Sequence, residues 1–197
     1  MIPSVTSRVV LAAALICGSP VLASAGPDYT LLNAQRGAEL SLFGGAAATS
    51  FGPAPSFGWS LGWRPSARVV IEGGGSWVPS SGVDGFAALF GTRLYTSLRH
   101  RASPFLSLEG GLFHASVSGS DPDVPDFYRD RMIPGAGEKA FNDFVAAGGG
   151  GFDVHLRGRM WLRPTGRVLV VVDGWRSHVM FLGGLNLSFS FGGASSP

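Results

Sequence analysis

The clearest periodicity in the chain lies near its end. From Phe181 every second residue is Phe181, Gly183, Leu185, Leu187, Phe189 and Phe191, and between them stand Leu182, Gly184, Asn186, Ser188 and Ser190. Alternation of this kind marks a β-strand with one apolar and one polar face. Strands of soluble sandwiches usually stop after about five or six residues. Residues 178–191 instead reach the roughly 9–11 residues that a tilted strand needs to cross a bilayer. The pattern recurs upstream. Residues 38–45 set Leu40 and Leu42 against Glu39, Ser41 and Phe43, and residues 57–63 interleave Phe57, Trp59, Leu61 and Trp63 with Gly58, Ser60 and Gly62. Residues 68–77 place Val69, Ile71 and Trp77 opposite Glu72, and residues 86–97 place Phe86, Ala88, Phe90 and Leu94 opposite Arg93 and Tyr95. In residues 105–117, Leu106, Leu108 and Leu112 oppose Glu109; in 144–156, Phe152, Val154 and Leu156 oppose Asp153 and His155. Residues 160–172 complete the series, with Leu162, Val168, Val170 and Val172 opposite Arg163, Thr165 and Arg167. About eight strands are predicted, an even number that leaves both ends on one side.

The connections alternate in kind. Residues 64–67, 98–104 and 157–159 are short and carry Arg, while 46–56, 79–84 and 118–142 are mostly longer and rich in Gly, Pro, Ser or Asp, and 173–177 form a short loop. Transmembrane barrels have short turns at one end and longer loops at the other. The glycine- and aromatic-rich segments 57–63, 105–113 and 181–191 resemble those of the small eight-stranded outer-membrane β-barrel proteins, the OmpA-like transmembrane domain and its relatives. The closing aromatic strand resembles the signal that barrel-assembly machinery reads, although six small residues, 192–197, follow Phe191 here. The resemblance is one of pattern across the chain and carries no diagnostic motif. It implies an all-β, antiparallel, up-and-down transmembrane β-barrel in the outer membrane of a Gram-negative type of cell. The expected partners are outer-membrane lipids and lipopolysaccharide, and the assembly machinery during insertion.

Composition fits that expectation. Charged residues are 14% of the 197-residue chain, against 30 glycines and 11% aromatics. Low charge with many glycines and aromatics departs from an average soluble domain. A net charge of +2 is too small to suggest a nucleic-acid partner. Residues 1–25 read as a signal peptide. Arg8 flanks an apolar run over residues 9–16, and Ala23, Ser24 and Ala25 form a small-residue cleavage site before Gly26. Residues 26–36 are then a short N-terminal lead, 37–191 the barrel, and 192–197 a C-terminal tail. Cys17 is the single cysteine and lies inside the signal, so the mature chain has no disulfide; bulky Ile16 before it argues against lipidation.

If the Leu, Val and Phe series faces lipid, the inward set is Glu39, Glu72, Arg93, Glu109, Asp153, His155, Arg163 and Arg167. The lumen of an eight-stranded barrel is just wide enough for side chains to fill. Buried charges there must pair, so a packed ion-pair network is expected rather than a conduit. The same parity argues against a soluble lipocalin-like barrel, which carries its apolar face inside.

Candidate chemistry is sparse. His114, Ala115 and Ser116 form the His-x-Ser pair that some outer-membrane lipid A deacylases use, with Asp121, Asp123 or Asp126 as a conceivable acid. However, Val117 replaces the Asn that usually follows, and the pair is far from the C-terminus, so a rim histidine is the simpler account. The acidic run 121–126 has two prolines and lacks the Gly turn of a calcium loop. His100 and His178 lack partners at metal spacing. The run Gly148, Gly149, Gly150 and Gly151 has no following Lys-Ser or Lys-Thr and reads as a place where the sheet curves or a bulky neighbour packs close. The best place for a surface ligand is the loop 118–142, where Phe127, Tyr128 and Met132 stand among Arg129, Asp130 and Arg131. No catalytic, cofactor-binding or metal-binding residue is assigned, and no cofactor is expected. The expected role is structural or surface-interacting through outer loops. A narrow channel for small solutes is the alternative, and a lipid-active enzyme is the third reading.

Overall fold

The computed structural model describes residues 37–49, 52–80, 82–97, 102–119, 122, 124–132, 137–174 and 176–191. The proposed signal peptide, lead and C-terminal tail lie outside these residues. Eight strands run in chain order: β1 (Gly37–Thr49), β2 (Gly52–Ser66), β3 (Val69–Ser80), β4 (Val83–Tyr95), β5 (Ala102–Ser118), β6 (Glu138–Arg157), β7 (Met160–Asp173) and β8 (Arg176–Phe191). Each pairs antiparallel with the next, and β1 pairs with β8, closing the barrel. Closure leaves no unpaired sheet edge along its middle. A single helical turn, α1 (Asp126–Arg129), lies between β5 and β6 at the end we call the loop end.

Alternation sorts the side chains as predicted. The outer wall carries Leu42, Trp59, Leu61, Trp63, Leu94, Leu106, Leu112, Phe144 and Leu185, with Phe90 66% and Leu108 71% exposed. A continuous belt of large apolar side chains this open to the surroundings requires an apolar exterior medium. The exterior is therefore built for lipid.

The strands are longer than the alternation alone suggests. Residues 46–48 and 53–55, expected in a loop, pair as Ala46 with Pro55, Ala47 with Ala54 and Ala48 with Pro53. Proline is tolerated there because β2 begins to pair with β3 only at Phe57, so the missing N–H groups need no partner on that side. Residues 79–84 are likewise mostly strand, with Pro79 opposite Asp84 and Ser80 opposite Val83. Arg64, expected in a turn, belongs to β2, and of the segment 118–142 expected to be irregular, Ser118 ends β5 and residues 138–142 already belong to β6.

Gly149 and Gly151 face the lumen, where an added Cβ would lie 2.5 Å from the Gly166 carbonyl oxygen and 2.2 Å from that of Pro164. Phe105 also packs against Gly151. The glycine run thus lets β6 press against its neighbours, as its composition implies.

Candidate functional site

The lumen is filled in layers. At the end holding the β2–β3 and β6–β7 turns, Glu39, Glu72 and Asp153 meet Arg93 and Arg163. Arg93 donates to Glu39 and Glu72, and Arg163 donates through Nε to Asp153. Arg163 Nη2 also lies 3.1 Å from Glu39 Oε1, and its Nη1 donates to Ser41 Oγ at 3.1 Å. Arg64 approaches Glu39 at 3.9 Å and donates to the Tyr95 hydroxyl at 3.1 Å. Tyr95 in turn donates to Asp153. Three acids and three arginines balance, with Glu39, Asp153, Arg93 and Arg163 each holding several partners and Glu72 held by Arg93, which is what makes burial of so many ions tolerable.

A second polar layer sits at mid-depth. Arg167 bonds Glu109 Oε2 at 3.1 Å and Ser76 Oγ at 3.0 Å, beside a small cavity of about 50 Å³ lined by Ser107, Thr165 and Asn186. Of the predicted inward set, Glu39, Glu72, Arg93, Glu109, Asp153, Arg163 and Arg167 all join these layers. His155 does not. The register shifts between His155 and Arg157, and His155 instead reaches the Gly158 carbonyl at 3.0 Å and lies 4.7 Å from the Trp161 ring centroid.

Towards the loop end the lumen becomes apolar, which the polar-inside expectation did not foresee. Val78, Ala87, Leu89, Phe113, Val117, Val145, Leu169, Val171, Met180 and Leu182 form one buried cluster. The segment 124–132 caps it. Val124 and Tyr128 are buried, and Phe127 and Met132 pack against the same cluster. Tyr128 contacts Phe141 at 5.4 Å between ring centroids, and Phe127 stacks on buried His178 at 5.8 Å. Burial pushes the Tyr128 hydroxyl well above its ordinary pKa, with neighbouring Asp143 adding to the shift. Polar latches hold this cap down. Arg131 pairs with Asp143 at 2.7 Å and Asp173 at 3.0 Å, Lys139 donates to the Arg131 carbonyl at 2.7 Å, and Arg176 pairs with Asp130 at 2.8 Å. The aromatics predicted to display a recognition surface therefore point into the barrel, while Asp126, Arg129 and Asp130 remain at the surface. His100, Asp121 and Asp123 lie outside the described residues.

On the outer wall, His114 Nδ1 bonds Asn142 Oδ1 at 2.8 Å across the β5–β6 pair. Sequence reasoning looked for the histidine's partner among nearby acids and missed Asn142, which is distant in sequence but directly opposite in register.

No protein-family model matches the sequence, and no curated protein matches it. Solved structures do. The N-terminal β-barrel domain of Pseudomonas aeruginosa OprF aligns with a TM-score of 0.57 at 15% identity, over 80% of this chain and 99% of that one. Neisserial surface protein A aligns with a TM-score of 0.56 at 13% identity, over 78% and 96%. The outer membrane protein OprG from Pseudomonas aeruginosa gives 0.50 at 11% identity, over 80% and 98%. At these identities the likeness establishes architecture. Together with the closed eight-stranded sheet, it gives this chain the fold of the small eight-stranded outer-membrane β-barrels.

Proposed function

We propose that this chain is an outer-membrane barrel with a structural and surface-presenting role, its lumen a packed interior rather than a passage or a reaction chamber. The observation that carries this reading is the filling of the lumen: a balanced ion-pair cluster at one end, the Arg167–Glu109 pair at mid-depth and an apolar plug capped by residues 124–132 at the other end. With the end where β1 starts and β8 finishes turned to the periplasm, the loop end faces outward, so Asp126, Arg129, Asp130 and Arg176 are side chains offered to a partner or to lipopolysaccharide. Both ends of the lumen are packed with side chains, so steady ion flow is not expected.

The test joins topology with conductance. Residues 37–191 contain no cysteine, so an Asp126→Cys substitution introduces a unique thiol there. It is expected to react with a membrane-impermeant maleimide in intact cells, and the purified chain in planar bilayers is expected to show no steady channel. Labelling only after permeabilisation, or stable conductance, would contradict the proposal.

A further inference from the structure

We infer that the turn end of the barrel, the one holding the β2–β3 and β6–β7 turns, is a docking surface for anionic phospholipid headgroups of the inner leaflet, with Arg68, Arg157 and Arg159 holding their phosphates. This rests on the orientation proposed above and adds a partner for the periplasmic side.

Three observations converge. The first is charge. At the loop end the arginines are engaged by neighbouring carboxylates: Arg129 by Asp126, Arg131 by Asp143 and Asp173, and Arg176 by Asp130. At the turn end the carboxylates of Glu39, Glu72 and Asp153 are turned into the lumen and held there by Arg93 and Arg163. Arg68, Arg157 and Arg159 are exposed, and none of them forms an ion pair among the described residues. Positive charge left uncompensated on one end of a molecule attracts anions to that end.

The second is height. Both turns are pinned to the next strand: the Arg68 carbonyl oxygen accepts from the Tyr95 N–H at 2.9 Å, and that of Arg159 from the Ser190 N–H at 3.0 Å. Gly158, at φ 59°, closes the β6–β7 turn tightly. Exposed apolar residues of the outer wall stand next to these contacts, Leu94 after Arg93 and before Tyr95, and Phe191 after Ser190, while Leu156 and Met160 flank Arg157 and Arg159. The arginines therefore sit at the rim of the apolar belt, the level at which a glycerophospholipid carries its phosphate beyond its acyl chains.

The third is spacing. The β2–β3 and β6–β7 turns lie on opposite sides of the eight-stranded ring. A large soluble polyanion requires a continuous basic face. Separate basic groups around a mouth suit many small ligands arranged about the barrel, as the surrounding lipids are. The residue type agrees, since a guanidinium offers a planar fork to two phosphate oxygens at once.

The full chain is refolded into vesicles of equimolar phosphatidylethanolamine and phosphatidylglycerol and checked by its heat-dependent gel mobility. It is then extracted into detergent, and the lipids retained by the barrel are counted by native mass spectrometry. Phosphatidylglycerol is expected to exceed phosphatidylethanolamine by about fivefold. The excess is expected to vanish in a triple variant, Arg68→Gln with Arg157→Gln and Arg159→Gln, and to persist in Arg129→Gln at the loop end. In the wild type it is expected to fall when salt is raised to about 1 M, which screens charges beyond about 3 Å. No excess in a wild-type barrel that keeps its heat-dependent mobility would overturn the inference. So would an excess that survives in the triple variant, or one that falls equally in Arg129→Gln. Loss of the excess when inorganic phosphate replaces chloride at equal ionic strength would assign these arginines to free phosphate and overturn it as well. Both leaflets of these vesicles have one composition, so the result does not depend on which way the barrel inserts. Labelling of Asp126→Cys tests that orientation separately.

Discussion

At the scale of single residues, the lumen separates what parity reveals from what it conceals. Glu39, Glu72, Arg93, Asp153 and Arg163 were legible as inward because each interrupts an otherwise apolar alternation, and a charge on a lipid-facing strand has only one tolerable direction. Arg93 holds two carboxylates at once, Glu39 and Glu72, and is 1% exposed. Arg93→Ala is expected to cost about 3–5 kcal/mol by leaving buried carboxylates unpaired, read as a lower temperature for loss of the compact species on gels. The apolar upper lumen was not legible, because Leu169 and Val171 sit within a run of Val and Leu on both faces of β7, where alternation carries no sign. Tyr128 gives a second prediction. Its hydroxyl is buried without a hydrogen-bond partner among the described residues, at a cost of about 1–3 kcal/mol. Tyr128→Phe is therefore expected to tighten the cap. Since burial raises the tyrosine above its ordinary value of 10.0, its packing contributes fully below that pH and is lost as pH rises past it. Resistance of the 124–132 segment to proteinase K should fall above about pH 10 in the wild type and persist in Tyr128→Phe.

At the scale of strands, Pro and Gly misled the reading of boundaries more than of existence. Pro53 and Pro55 are strand residues because their side of β2 has no neighbour at that height, a fact of three-dimensional stagger invisible in sequence. Asn142 was hidden for the same reason: register, not proximity in sequence, sets it opposite His114. Glycine position predicts sharply different outcomes for one chemical change. A Cβ at Gly111 would lie 1.9 Å from the Ala88 carbonyl oxygen, whereas one at Gly148 meets nothing within 4 Å. Gly111→Ala is expected to push β4 and β5 apart and to cut the yield of refolded barrel severely, while Gly148→Ala refolds as the wild type does. Equal yields for the two variants, measured by gel mobility after refolding in detergent, would refute the close approach.

At the scale of the whole molecule, independent requirements agree on one architecture: an even strand count, a belt of exposed Leu, Phe and Trp, a lumen whose charges cancel, and a cap that seals the wider-looped end. A soluble barrel of the same topology would place the belt inside and the ion pairs outside. The central claim is that this inversion fits the chain to a bilayer, and the most direct measurement is gel mobility of the detergent-extracted outer-membrane fraction in SDS, with and without boiling. A closed membrane barrel resists SDS until heated, so the account predicts recovery in that fraction and a clear mobility shift on boiling. Recovery as a soluble periplasmic protein, with one mobility under both conditions, would contradict it.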